Sequence, residues 1–194
     1  MIMFFNKNKQ LLDTENKLSE LQRQLDSISR NVAEIRFRPD GSVIYASNIF
    51  LEMLGYKLEE IAGQHHRIFC EKNYANTADY SRFWQKLADG HLQSGLFRRL
   101  RKDGNLVLIE ATYIPVQNQD GKVIEIIKIG SDVTQRENEL LSLRAVHAAI
   151  SRSMAEIEFT PNGDILHANE NFLRAMGYRL SDIKGRHHRM FCFD

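Results

Sequence analysis

The sequence holds only two cysteines in 194 residues and no Cys-x-x-Cys pair. That excludes a disulfide framework and fits a reducing compartment, so a cytoplasmic location is expected. Long apolar runs are also missing. The longest is Met1 to Phe5, against the ~20 apolar residues that a membrane-spanning helix needs. The same stretch lacks the basic region and cleavage site of a secretory signal. Net charge is nearly absent: 26 Lys and Arg against 25 Asp and Glu give +1. Nucleic acid is therefore not expected as a partner, because polyanion binders carry a strong basic excess. There is no Gly-rich phosphate loop, no Gly-x-Ser-x-Gly, no His-Glu-x-x-His and no kinase signature, and the carboxylates form no obvious catalytic pair. The chain is not expected to be an enzyme. At 43% hydrophobic and 26% charged residues it is of ordinary globular composition.

What is present is an internal repeat. Ser29-Arg30-x-x-Ala33-Glu34-Ile35-x-Phe37-x-Pro39-x-Gly41 returns as Ser151-Arg152-x-x-Ala155-Glu156-Ile157-x-Phe159-x-Pro161-x-Gly163, an offset of 122 residues. The match runs without a gap to His65-His66-Arg67-x-Phe69-Cys70 and His187-His188-Arg189-x-Phe191-Cys192, with 21 identities in 42 pairs. Half identity with no gaps indicates a duplicated domain, and the period is far longer than the ~20–50 residues of solenoid repeats. The second copy reaches only Asp194, the match of Lys72, so a fragment of a longer protein is expected. The expected organisation is an amphipathic helix over 1–31, a complete domain over 32–134, a linker helix over 135–153 and a truncated second domain over 154–194.

Residues 8–32 carry a heptad. Leu11, Leu18, Leu25 and Val32 fall at one core position, and Thr14, Leu21 and Ile28 at the other. Sustained apolar heptads are a coiled-coil signature, so Leu11, Leu18, Leu21, Leu25 and Ile28 are the expected seam of a homodimer. An amphipathic helix packed on its own domain needs the same stripe. Leu140, Leu143, His147, Ile150 and Met154 repeat the pattern before the second copy, and Thr134-Gln-Arg-Glu137 fits a capping box. In the first domain two short strands flank Pro39-Asp40-Gly41. Ser47 caps a short helix that ends at Gly55. A longer helix over 77–89 places Tyr80, Phe83, Trp84 and Leu87 at i, i+3, i+4, i+7. Three strands follow, over 96–101, 106–116 and 122–131, with turns at Asp103-Gly104 and Asp120-Gly121. Arg98, Arg99, Arg101 and Lys102 read as a solvated strand face. The order predicts an α+β fold, an antiparallel sheet with helices on one face.

Asp40-Gly41, Phe50, Gly55-Tyr56, Ile61-x-Gly63, Phe83-Trp84-x-x-Leu87, Ser94-Gly95, Arg99-x-x-Lys102-Asp103-Gly104, Pro115, Asp120-Gly121 and Asp132-Val133-Thr134 together resemble the PAS domain, a sensor module. The resemblance implies a five-stranded antiparallel sheet with a helical flank, and a partial second PAS repeat. It also implies a signal exit at Asp132 and Thr134, with Glu137 at the start of the following helix. The Gly-x-His-His-Arg-x-Phe motif is similar to the tandem PAS region of soluble bacterial chemoreceptor-type proteins of taxis and biofilm dispersal. The implied function is a sensory module that detects a small ligand or a redox or oxygen state. It would act on a downstream chemoreceptor signalling domain, with its chemotaxis kinase and coupling protein.

The candidate ligand residues are His65, His66, Tyr80 and Trp84, with His187 and His188 in the second copy. Imidazole ligates haem iron, and some PAS sensors hold haem through this region. The light-sensing PAS motif places its reactive cysteine where His66 stands, which argues against flavin adduct chemistry. Of the FAD-binding aerotaxis pattern only His66 and Trp84 remain. Haem, FAD and no cofactor stay open, as do a ligand-free dimerisation module and a haem gas sensor. His-His-x-x-x-Cys matches no usual zinc spacing, so no metal site is expected.

Overall fold

A computed structural model describes residues 2–192, with side chains from Leu12 onward; the side chain of the expected seam residue Leu11 lies outside the described ones. The chain divides into two units, 1–135 and 136–194.

In the first unit a long helix, α1 (Ile2–Arg30), precedes β1 (Ala33–Phe37) and β2 (Val43–Ala46). The turn between the strands needs Gly41 twice over. Its φ is +87°, and a Cβ there would stand 2.8 Å from His65 Nε2. Helix α2 (Asn48–Leu54) starts where Ser47 Oγ accepts from Phe50 N–H, and stops at Gly55 with φ +75°. Two short helices follow, α3 (Leu58–Ile61) and α4 (Lys72–Ala75), with a 3₁₀ turn over His66–Phe69 between them. Helix α5 (Ala78–Ala88) is capped by Thr77 and buries Tyr80, Trp84 and Leu87. Strands β3 (Gln93–Leu100), β4 (Leu106–Gln117) and β5 (Val123–Asp132) complete a five-stranded antiparallel sheet in the order β2-β1-β5-β4-β3. The α+β fold expected from the resemblance is thus the one observed.

Period-two alternation sets the core. Ile35, Phe37, Val107, Ile109, Tyr113 and Ile126 point inward against Phe50, Leu54, Ile61, Phe69 and Leu87. Four residues of the expected seam, Leu18, Leu21, Leu25 and Ile28, are exposed on α1. Helix α6 (Thr134–Ser153) then leads into the second unit.

The second unit repeats the first as far as the 3₁₀ turn. Strands β6 (Ile157–Phe159) and β7 (Ile165–Ala168) are followed by α7 (Glu170–Met176), α8 (Leu180–Ile183) and a 3₁₀ turn over His188–Phe191. The pairing Ile157↔Ala168, Glu158↔His167, Phe159↔Ile165 has the register of Ile35↔Ala46, Arg36↔Tyr45, Phe37↔Val43. Asn169 caps α7 as Ser47 caps α2.

Candidate functional site

The first unit gathers four of the candidate residues. His65 forms an isolated bridge to Ser42, and its neighbour's amide, His66 N–H, donates to Gly41 O at 2.8 Å. The loop after Gly63 is thereby fastened to the start of β2, and His66 is driven inward until it is fully buried. His66 Nδ1 lies 3.1 Å from Tyr80 Oη, and Nε2 lies 3.0 Å from Tyr113 Oη. Trp84 packs edge-on to the same ring at 5.3 Å. His65 stays half-buried. Its Nδ1 accepts from Arg67 N–H at 3.1 Å and lies 3.4 Å from Tyr80 Oη.

Arg99 orders this network. Its Nη2 donates to Tyr113 Oη at 3.2 Å. A guanidinium only donates, so the Tyr113 oxygen accepts and its own proton is free for His66 Nε2. In that arrangement the neutral His66 carries its proton on Nδ1 and donates it to Tyr80. The hydroxyl of Tyr80 then faces His65 Nδ1 at 3.4 Å, where it shares the lone pair with the Arg67 amide. Burial, reinforced by the charges of Arg99 and Lys128, holds His66 well below the ordinary imidazole value. Burial pushes the phenols of Tyr80 and Tyr113 and the thiol of Cys70 upward. Cys70 Sγ lies 3.7 Å from His66 Nδ1, as an inert thiol rather than a nucleophile.

The solvated basic strand expected over 98–102 needs correcting at one residue. Arg99 is only 2% exposed. Alternation along β3 puts Arg98 and Arg99 on opposite faces, and Arg99 turns inward between Phe97 and Tyr74, at 5.0 and 5.9 Å from their ring centres. Its Nε is a buried donor with no partner. Lys128 was not singled out in the sequence. It faces the core from β5, as exposed as Arg99 at 2%, with its ammonium 5.1 Å from the Tyr113 ring and 5.6 Å from that of Phe50. Burial depresses its pKa strongly, and Arg99 adds to the effect. Neither cation has a carboxylate partner among the described residues. A cleft of about 370 Å³ lined by Glu71, Tyr74, Leu96, Phe97, Arg98 and Arg99 opens beside Arg99. Tyr113 and Arg99 escaped sequence reasoning because both act across strands, and only the inward phase of β4 could have pointed to Tyr113.

Neither haem nor a flavin fits these residues as they stand. Both ring nitrogens of His66 are engaged, and His65 turns its Nε2 onto Gly41. The space between α5 and the sheet is filled by Phe37, Phe83, Trp84, Phe97 and Tyr113, with ring separations of 5.0–5.8 Å.

In the second unit His187 again accepts from the amide two residues on, Arg189 N–H, at 3.1 Å. His188, the match of His66, is exposed. Counterparts of α5 and β4, which bury His66, are absent among the described residues of that unit.

At the end of β5, Asp132 Oδ1 accepts from Thr134 N–H at 2.9 Å and Oδ2 accepts from Arg101 at 2.6 Å. Burial alone would raise this carboxyl, but the Thr134 bonds and the Arg101 guanidinium outweigh it and hold it below the usual range. The capping box expected between Thr134 and Glu137 does not form. Thr134 is already the first helical residue, and its Oγ1 accepts from Leu108 N–H at 2.9 Å. Glu137 pairs with Arg136 at 3.5 Å instead. Asp132 does the capping, and Thr134 ties α6 to β4.

A family model described as PAS fold matches residues 43–130, and one described as PAS domain matches residues 154–194. The chain is 39% identical over 166 residues to the biofilm dispersion protein BdlA of Pseudomonas aeruginosa, covering 86% of this chain and 40% of that protein. It is 26% identical over 95 residues to the aerotaxis receptor of Escherichia coli, covering 49% of this chain and 18% of the receptor. The chain therefore spans less than half the length of these relatives. Among solved structures, an RNA-binding light-oxygen-voltage receptor aligns with a TM-score of 0.54 at 26% identity, over 68% of this chain and 39% of that one. The PAS domain of a Colwellia psychrerythraea protein aligns with a TM-score of 0.53 at 20% identity, over 59% of this chain and 98% of that one, and shows the fold alone. Matched by PAS models over residues 43–130 and 154–194, the chain belongs to the PAS-domain family of sensory proteins.

Proposed function

We propose that the chain is the input part of a cytoplasmic signalling protein, in which the first PAS unit takes up a small carboxylate against Arg99 and Lys128. The observation that carries this reading is a pair of core-facing cations that no carboxylate pairs among the described residues, one of which, Arg99, lines a cleft whose own carboxylate, Glu71, is taken by Arg98. Burying an unpaired charge costs several kcal/mol, and an incoming carboxylate offsets that cost while giving the Arg99 fork its missing acceptor. The ligand must favour one of two conformations if it is to signal. Arg101 supplies a path. It lies two residues beyond Arg99 and holds both Met53 O of α2 and Asp132. A shift of β3 is thus handed to Asp132 and Thr134, and through them to α6. The downstream output is of chemoreceptor type, working with a kinase and a coupling protein, and α1 pairs two chains through Leu18, Leu21, Leu25 and Ile28. We assign the chain no enzymatic role. No helix among the described residues is long and apolar enough to cross a membrane.

The ring-filled interior favours a second reading, a PAS dimerisation module without a small ligand. Thermal denaturation separates the two. With benzoate as probe, a saturable rise in melting temperature is expected, absent with benzyl alcohol and lost in Arg99→Leu. Equal effects of the acid and the alcohol, or no effect from any of a series of small carboxylates, would favour the second reading.

A further inference from the structure

The two repeats share an inward face and differ on the outward one. In the first unit, Glu34 and Arg36 point outward from β1 as an ion pair, and Ser29 at the end of α1 donates to the same carboxylate. The Arg36 guanidinium covers the Tyr45 ring at 5.3 Å. Two of these positions, and exposed Leu25 on α1, change character in the second unit, 122 residues on. Leu25 becomes His147, Arg36 becomes Glu158 and Tyr45 becomes His167, while Glu34 remains as Glu156. Each change installs a metal-ligating atom, and one removes the cation. The local charge with neutral imidazoles passes from zero to two negative charges.

The geometry matches the chemistry. His147 Nε2 lies 3.2 Å from Glu156 Oε1. One ligand atom each from His147, Glu156 and Glu158 lie within 4.8 Å of one another. Tetrahedral zinc with bonds of ~2.0–2.2 Å has ligand-to-ligand edges of about 3.3 Å, so the first edge is already in place and Glu158 needs only a rotamer change. His167 stands directly across from Glu158 in the β6–β7 register. Among the described residues Glu156 has no ion-pair partner other than His147, and no Lys or Arg pairs with Glu158. We propose that His147, Glu156 and Glu158 bind a divalent first-row transition-metal ion, zinc fitting the donor set best, with His167 within reach as a fourth ligand. All four residues belong to the second unit. Because His147 sits on α6 and the carboxylates on β6, the ion fastens the linker helix to the strand that follows it. The site stands on its own geometry and does not depend on the function proposed above.

The test is calorimetric titration of the metal-stripped 194-residue chain with Zn²⁺. One site is expected, weakened by His147→Ala and by Glu158→Gln. Each loss should be at least about tenfold, the lower end of what even an outer-shell partner costs. Glu158→Gln leaves the His147–Glu156 pair untouched, so a plain surface ion pair predicts no change there. Glu158→Arg rebuilds the pair found in the first unit and should abolish the site. All these residues except half-buried Glu156 are exposed, so circular dichroism should show folded variants, and zinc should raise the melting temperature of the parent chain but not of Glu158→Arg. A titration unchanged by Glu158→Gln and Glu158→Arg, no binding at all, or a site lost with His187→Ala/His188→Ala instead would overturn the proposal.

Discussion

Replacing Lys128 by methionine should make the protein more stable. The lysine is 2% exposed and has no carboxylate partner among the described residues, and its ammonium faces the rings of Tyr113 and Phe50. Cation–π contact returns up to about 2 kcal/mol when desolvated, whereas burying an ammonium costs several kcal/mol. Methionine keeps the apolar stem and omits the charge. The net gain at neutral pH is therefore about 1–3 kcal/mol, and each kcal/mol raises the melting temperature of a domain of this size by roughly 4–8 °C. The pH dependence gives a second handle. The folded-state pKa of Lys128 is depressed, while the unfolded value stays near ~10.4. Between those two values the unfolded chain binds more protons, so the parent gains stability as pH rises through that window. The variant lacks this gain, and the gap between the two closes. Urea denaturation at pH 7 and at pH 10 measures both effects. A variant less stable than its parent at pH 7, or a gap that stays constant with pH, would refute the reasoning.

Tyr113→Phe removes the hydroxyl that joins Arg99 to His66. It should cost about 1–3 kcal/mol, since two buried polar groups lose a partner; a thermal-melt loss below ~0.5 kcal/mol would count against the network. His66 is held below its ordinary value, so the folded state loses stability as pH falls below ~6.5, where the unfolded imidazole takes a proton that the buried one refuses. His66→Phe should flatten that acid limb in urea titrations. Asp132→Ala should cost about 0.5–2 kcal/mol, as a lost cap does, and Thr134→Ala about 1–3 kcal/mol, since it leaves the Leu108 amide without its acceptor, yet both should alter the output of the longer receptor in a taxis or dispersal assay; normal signalling by both would remove Asp132 and Thr134 as the exit. Leu18→Asp with Leu25→Asp should turn a dimer into a monomer by light scattering, and an unchanged dimer mass would show that α1 is not the seam.

Wherever one element speaks for itself, the fold was readable. The alternation Ile35–Phe37, the Asp-Gly turns, and the caps Ser47 and Asn169 all work through neighbours within a few residues. The site was only half readable. His66, Tyr80 and Trp84 could be named from a motif and a helical spacing, but their meeting with Tyr113, Arg99 and Lys128 depends on tertiary packing, across 47 residues for His66 and Tyr113 alone. A run of four basic residues looked solvated because composition carries no phase. Alternation in β3 sends Arg99 inward while Arg98 stays outside. The box at Thr134 and Glu137 failed for a similar reason, since a tertiary acceptor role toward Leu108 takes the hydroxyl that local pattern would assign to the helix.

The row of hydrogen bonds from Arg99 through Tyr113, His66 and Tyr80 to His65 has a polarity. Its first bond points away from the guanidinium, because that group has no lone pair with which to receive. Beyond it, Tyr113 can either give its proton to His66 or take one from it, since its oxygen has room for two donors. An anion that draws Arg99 off the Tyr113 oxygen frees one of those places and favours the direction in which His66 donates to Tyr113. The row ends at His65, whose ring rests on Gly41 at the tip of the first hairpin. A displacement at β3 can therefore be felt on the far side of the sheet by a change in proton direction alone, with no carbon atom in the core having to move.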